Sequence, residues 1–409
     1  MLASHLKEIH PNFPLRWALE GMMSHGKFED RTVTNGMPIL GLDYSFSDNT
    51  HQFYFEGAFK NVANLSDESL TDDDANGLNK NVGKNNGFGF REAFYRLSLD
   101  KTTLTAGLQS MTLGDEVLVD ERVLGLSVDQ NFGAFDAKFR IGSVDNNFSR
   151  MGEFCGSRKI FNLTRKTQAA DELWQTNLTS YVLTWNPSYK APEPVEETSE
   201  DGFEDYDEFE DFGEFESFDE SKPLLQLKKV GLIAYQEFGE GFSYEKYWYG
   251  GFAEFKLPFD TDLKMETLGQ SVPHQSAIIY FAELHKNFFW AGTGNFDMKA
   301  GYFGKINIDK RALFMSTFSH LYLGEVMRLD GRDIPIAYGS MMYSFPWRVK
   351  IHLKATAITQ MKNEKISELD FELGILLFNH IKLTPIYSII SSKENDTMTM
   401  IRLEARAAI

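Results

Sequence analysis

Apolar and polar residues alternate along many segments of this chain, and that pattern constrains the fold more than any other feature. From Trp347 to Lys362 the odd positions are apolar at seven of eight sites, and the even positions are polar at seven of eight. Successive side chains of a β-strand point to opposite faces, so the segment predicts a strand with one apolar and one charged face. A helix would scatter both sets around its circumference.

The same alternation recurs along the whole chain and predicts about 16 to 18 strands. Short turns join many of the strands, whereas long polar stretches such as Asn61–Asn86 and Asp145–Asn177 separate others. This spacing is typical of an antiparallel meander with one tight end and one end of long loops. The strand pattern is weakest at Pro14–Ser24 and at Ala312–Leu323, and no helical domain interrupts it.

Two architectures accommodate strands with one apolar face. A soluble sheet protein turns that face inward against a second sheet, whereas a membrane barrel turns it outward to lipid. Many of the predicted strands exceed ten residues, and aromatic residues lie near the ends of the apolar stripes, as at an interfacial girdle. We therefore predict an all-β fold, an antiparallel transmembrane β-barrel of about 16–18 strands, with a soluble all-β binding protein as the alternative.

Charge is concentrated in one part of the chain. The net charge is −18, and 15 of the 59 acidic residues lie between Glu193 and Glu220, where no basic residue occurs. The rest of the chain has 59 − 15 = 44 acidic and 41 basic residues, so composition gives no support for a nucleic-acid partner. The single cysteine, Cys155, excludes an intramolecular disulfide framework and a cysteine cluster for zinc.

Residues 190–222 form an acidic, aromatic-containing low-complexity segment, which we expect to be a loop inserted in a single barrel domain spanning 1–409. Like-charge repulsion favours a solvated loop. The period of its aromatic residues also suits a segment that docks on a protein partner, plugs the barrel or binds divalent cations. These aromatic residues recur at every third position: Phe203, Tyr206, Phe209, Phe212, Phe215 and Phe218.

The charged faces of several strands are candidates for a pore lining. A basic row precedes an acidic row on what we expect to be neighbouring strands, so the two rows either neutralise each other or create a transverse field that orients solutes. Two further arginines on the last strand leave this wall slightly basic, which favours anionic solutes. The candidate residues are Arg348, Lys350, His352, Lys354, Glu368, Asp370, Glu372, Arg402, Glu404, Arg406, Asp136, Lys138 and Arg140.

Catalytic and cofactor motifs have little support in the sequence. The nine histidines are scattered, and neither a Ser/His/Asp grouping nor the HExxH spacing appears. We therefore expect neither an enzyme nor a bound metal or cofactor.

The block from Phe90 to Val144 contains a recurring set of residues at characteristic positions: Glu92, Ala93, Gly107, Gln109, Gly114, Asp115, Arg122, Phe135, Asp136, Ala137 and Arg140. At these positions the block resembles outer-membrane porins of the alginate-export type. The resemblance implies a barrel and passive transport. Leu108 stands where that family usually has an arginine, so an arginine-lined conduit for an anionic polymer is not carried over.

Together these observations predict a porin-like channel in a bacterial outer membrane, with the lipid bilayer and small polar or charged solutes as its partners. The alternative is a closed barrel that serves as an anchor and has a structural, adhesive or partner-binding role through the acidic loop. The sequence leaves the oligomeric state, and the side of the membrane that carries residues 190–222, open.

Overall fold

A computed structural model describes most of the chain. The described residues are 14–28, 31–46, 49–64, 86–114, 117–144, 176–187, 225–239, 245–290, 294–310, 312, 316, 323, 335–345, 350–360, 366–377, 381–391 and 397–408. Residues 190–222, with their six periodic aromatic residues, and Arg348 lie outside this set.

The described residues form eighteen β-strands of 9 to 16 residues and contain no helix. The strands are β1 Leu15–Phe28, β2 Arg31–Phe46, β3 His51–Asn64, β4 Asn86–Ser98, β5 Thr102–Leu113, β6 Val119–Asn131, β7 Phe135–Val144, β8 Thr176–Trp185, β9 Gln226–Phe238, β10 Lys246–Leu257, β11 Thr261–Ser271, β12 Ala277–Trp290, β13 Gly294–Asn307, β14 Ile336–Ser344, β15 Lys350–Gln360, β16 Ser367–Leu377, β17 Ile381–Ser391 and β18 Met398–Ala408. Ala312, Ser316 and Leu323 are not in strands, so the weak strand pattern there does not correspond to a strand at these residues.

Every strand pairs antiparallel with the next one along the chain. β1 also pairs with β18, with Gly21 opposite Ala407, so the sheet closes on itself. The predicted antiparallel barrel is confirmed, at the upper end of the expected strand count. Closure gives each of the described strands a neighbour on both sides.

The connections between strands differ in length at the two ends of the barrel. At the end that carries both termini of the barrel, seven of the eight connections are three to five residues long; we call this the short-turn end. At the other end, the long-loop end, the connections include residues 65–85, 145–175 and 308–335. The eighth connection at the short-turn end is 186–225, so the acidic segment joins β8 to β9 at the same end as the tight turns.

The two faces of the barrel differ in the way the alternation predicts. On β1 the outward side chains of Leu15, Trp17 and Leu19 are exposed, whereas the inward side chains of Arg16 and Glu20 are buried. Most other strands repeat this outward apolar face, with Leu40, Leu126, Tyr249, Met341 and Leu403 among its exposed residues. In the described part of the chain, no helix is long and apolar enough to cross a membrane.

Candidate functional site: the inner wall of the barrel

The inner wall is built from alternate residues of all eighteen strands and carries most of the charged groups. Because side chains of a strand alternate between faces, a position is assigned to the inner wall by its register with a buried or ion-paired neighbour. Exposed lysines lie on the half of this wall nearer the short-turn end, at Lys138, Lys299 and Lys350. We call this half the vestibule.

The predicted basic and acidic rows lie side by side on β15 and β16 but meet directly at one rung. Lys354 is opposite Glu372, and its Nζ lies 3.9 Å from Glu372 Oε2. His352 Nε2 lies 3.1 Å from the other carboxylate oxygen of Glu372. The His352 ring packs against Gly374, where a Cβ atom would come within 1.8 Å of it. Glu372 therefore holds both basic side chains against the wall.

The other members of the two rows are offset from each other. Lys350 is opposite Leu376, while Asp370 and Glu368 are opposite Thr356 and Ile358. Both of these carboxylates are buried, whereas Lys350 is exposed. The two rows therefore do not neutralise each other rung by rung, and the charge of Lys350 remains accessible to water.

The three candidate residues on β18 take part in ion pairs. Arg406 pairs with Glu20 of β1, with Nη2 donating to Oε2 at 2.8 Å across the closing seam. Arg402 Nη2 lies 3.9 Å from Glu404 Oε2. Each arginine thus has a carboxylate near it, so these groups add less basic character than their number suggests.

The three candidate residues on β7 lie on the same inward row but in different surroundings. Asp136 accepts hydrogen bonds from Asn131 at 2.6 Å and from Asn186 at 3.1 Å, which ties the end of β6 to the residue that follows β8. Arg140 lies 4.0 Å from Asp129, and Lys138 between them in sequence is exposed. The Asp136 carboxylate is therefore engaged in hydrogen bonds within the wall, whereas the Lys138 side chain is accessible to water.

A buried polar network on β1–β3 was not among the candidates. Arg16 Nη2 lies 3.2 Å from Asp43 Oδ2 and donates to Ser45 Oγ at 2.8 Å. Gln52 Nε2 donates to Asp43 Oδ1 at 3.0 Å. Arg16 was not predicted because the strand pattern is weak over β1. Its pairing with Asp43 depends on the register of β1 and β2, which sequence spacing does not provide.

The wall from β9 to β14 adds further charged groups to the vestibule. His285 Nε2 lies 2.6 Å from Asp297 Oδ2, and Lys229 lies 3.8 Å from Glu254. Their alternation with outward apolar residues was the available signal, as for the rows on β15 and β16. Among the described residues, no group of three or more His, Cys, Asp and Glu side chains is arranged to hold a metal ion.

No family model and no curated protein sequence matches the chain. Solved barrels do match it. Pseudomonas aeruginosa OccD3 (OpdP) superposes with a TM-score of 0.54 at 10% identity, over 97% of this chain and 91% of that one. Acinetobacter baumannii OccAB4 gives 0.54 at 11%, over 97% of both chains. Pseudomonas aeruginosa OpdK with vanillate gives 0.53 at 8%, over 97% of this chain and 98% of that one. At such identities the likeness establishes a shared barrel fold.

Proposed function

We propose that this chain is an outer-membrane channel for the passive diffusion of small polar or charged solutes. The observation that carries the proposal is the separation of the two faces of the closed barrel, with exposed apolar side chains outside and charged side chains inside. A soluble protein would turn the apolar face away from water, whereas a bilayer stabilises this arrangement.

The dimensions of the strands suit a bilayer. A tilted strand needs about 9–11 residues to cross the hydrocarbon region, and the strands here have 9 to 16. Aromatic side chains cluster at the short-turn end of the outer face, where Phe46 stacks on His51 with ring centroids 4.6 Å apart and Phe135 stacks on Trp185 at 6.5 Å. Such rings are typical of the boundary between lipid and water.

The lengths of the connections assign each end of the barrel to one side of the membrane. Outer-membrane barrels have short periplasmic turns and longer extracellular loops. The short-turn end would then be periplasmic, which puts the acidic segment on the periplasmic side and opens the vestibule to the periplasm. A protein partner of the acidic segment would be a periplasmic one.

The accessible charges of the vestibule support a preference for anionic solutes. Lys138, Lys299 and Lys350 are exposed on the inner wall, while Asp136 and Asp297 are engaged in hydrogen bonds or an ion pair. A charged wall in a narrow lumen selects solutes of opposite sign. The alginate-export-type resemblance stays a prediction, and Leu108 argues against a conduit for an anionic polymer.

The test is the ion selectivity of the reconstituted channel. The double variant Lys350→Glu/Lys354→Glu replaces two positive charges of the vestibule with negative ones. We expect its reversal potential in a salt gradient to shift toward cation selectivity. Lys101→Glu is the matched control, because Lys101 is exposed on the β4–β5 turn outside the barrel wall. An unchanged reversal potential in the double variant would refute the claim that this wall lines the pore.

A further inference from the structure

The connection between β5 and β6 folds into the barrel instead of extending away from it. Gly114, at the start of this connection, packs closely against Glu266 of β11. A Cβ atom at Gly114 would lie 2.9 Å from Glu266 Oε1. β11 is five strands away from β6 around the wall. The first five residues of β6, Val119–Val123, are buried on both faces. The tip of the hairpin therefore crosses the lumen.

A second connection meets this hairpin inside the barrel. After β13 the chain is fixed by the Asp309 carboxylate, which accepts a hydrogen bond from Ser276 N at 2.6 Å, and by Lys305 Nζ, which donates to Ala312 O at 2.6 Å. Ser316 follows and is buried, and its hydroxyl donates to the backbone oxygen of Leu118 in the hairpin. Two segments 198 residues apart are joined by this bond.

The same hydroxyl also reaches the barrel wall. Ser316 Oγ lies 3.4 Å from Glu237 Oε1 on β9, and Tyr235 Oη donates to that oxygen at 3.0 Å. Glu237 forms an ion pair with Lys246 of β10 at 3.5 Å, and the two side chains are 0% and 1% exposed. A carboxylate and an ammonium group removed from water need such partners to remain charged. The hairpin tip is thus held at a fixed point of the wall.

Apolar side chains surround this polar contact. Seventeen buried apolar residues form one cluster at the long-loop half of the lumen, contributed by eleven consecutive strands, β5 to β15, and by the hairpin tip. Leu118, Trp248, Leu268, Phe281 and Phe303 belong to it.

Buried apolar side chains also lie on four of the other strands. The inward side chains of Met37 on β2, Ala58 on β3, Ile390 on β17 and Met400 on β18 are buried. A lumen section lined by apolar groups excludes water and stops ion flow by dewetting. By contrast, the vestibule exposes charged groups to water.

We infer that the solute path is closed at its long-loop end by an apolar plug, and that the contact of Ser316 with Leu118 and Glu237 is the latch whose release limits conduction. This inference rests on the proposed channel function. In this account the vestibule is wet at rest, and a solute crosses after the hairpin tip has moved away from the wall.

Single-channel recording of Ser316→Ala tests the latch. Losing a buried hydrogen bond of ordinary strength shifts the closed–open equilibrium, so we expect the open fraction to rise roughly two- to tenfold. Ser388→Ala is the matched control, because Ser388 is a buried serine on the inner face of β17, outside the apolar cluster. We expect the control to conduct like the wild type.

Leu118→Ser provides a second variant, since a hydroxyl in the plug favours wetting and should raise the conductance even with Ser316 intact. If the wild type conducts and neither variant differs from it, the latch is refuted while the channel function stands. If the wild type, Ser316→Ala and Leu118→Ser are all silent despite verified incorporation, the channel function itself fails.

Discussion

A lysine introduced on the outer face of β14 should destabilise the barrel far more than a lysine on its inner face. Met341 points outward and is 48% exposed, whereas its neighbour Ser340 is half-buried on the inner face, opposite Lys299 and Thr356. Met341→Lys and Ser340→Lys therefore introduce the same group one residue apart, on opposite faces of one strand.

The expected difference follows from the depth of these positions. A strand of nine residues, rising about 3.3 Å per residue and tilted about 40°, spans roughly 23 Å, close to the height of the apolar band of a barrel. Ser340 is the central residue of β14, so Met341 lies about 3 Å from the midplane. Lysine on the lipid face at this depth costs about 2–4 kcal/mol, whereas a lumen position should cost about 1 kcal/mol or less.

The assay is reversible unfolding of the chain in lipid vesicles by denaturant, followed by tryptophan fluorescence. We expect Met341→Lys to lower the free energy of unfolding by the larger amount and Ser340→Lys to stay near the wild type. Equal losses for the two variants would contradict a lipid-facing outer surface. A larger loss for Ser340→Lys would mean that the two faces have been assigned the wrong way round.

Two further predictions concern stability in detergent, measured by denaturant titration. Asp43→Ala leaves the buried Arg16 guanidinium without its carboxylate, so we expect a loss of about 3–5 kcal/mol; a loss under 1 kcal/mol would show that the pair is solvated. Gly250→Ala would put a Cβ atom 1.9 Å from the backbone oxygen of Thr267, so β10 and β11 must move apart at a cost of about 1–3 kcal/mol. Gly21→Ala, with nothing within 4 Å of its Cβ position, is the control, and similar losses at both glycines would contradict this packing.

The strand pattern was predictable because alternation depends on short-range sequence alone. In the segment around Lys354 every second residue is apolar, so the charged residues between them are expected on the opposite face. In the structure Lys354 and Glu372 lie opposite each other on that face. Which residues meet across strands was less predictable. The partner of Arg406 is Glu20, 386 residues earlier in the chain, and the closing of the barrel brings them together.

The inward fold of the β5–β6 hairpin could not be predicted from its own sequence. Val119–Val123 reads Val-Asp-Glu-Arg-Val, and three consecutive charged residues gave no signal that both of its faces would be enclosed. The residues just before it contact distant parts of the chain, Leu118 with Ser316 and Gly114 with Glu266. Such contacts arise from the closed wall, which local patterns do not encode.

The most direct test of the channel function is planar-bilayer recording of the refolded chain, with incorporation verified independently and with Leu118→Ser recorded in parallel. We predict discrete conductance steps with a defined reversal potential, and larger or more frequent steps in Leu118→Ser. Silent bilayers for both proteins, despite their incorporation, would contradict a solute path through this barrel.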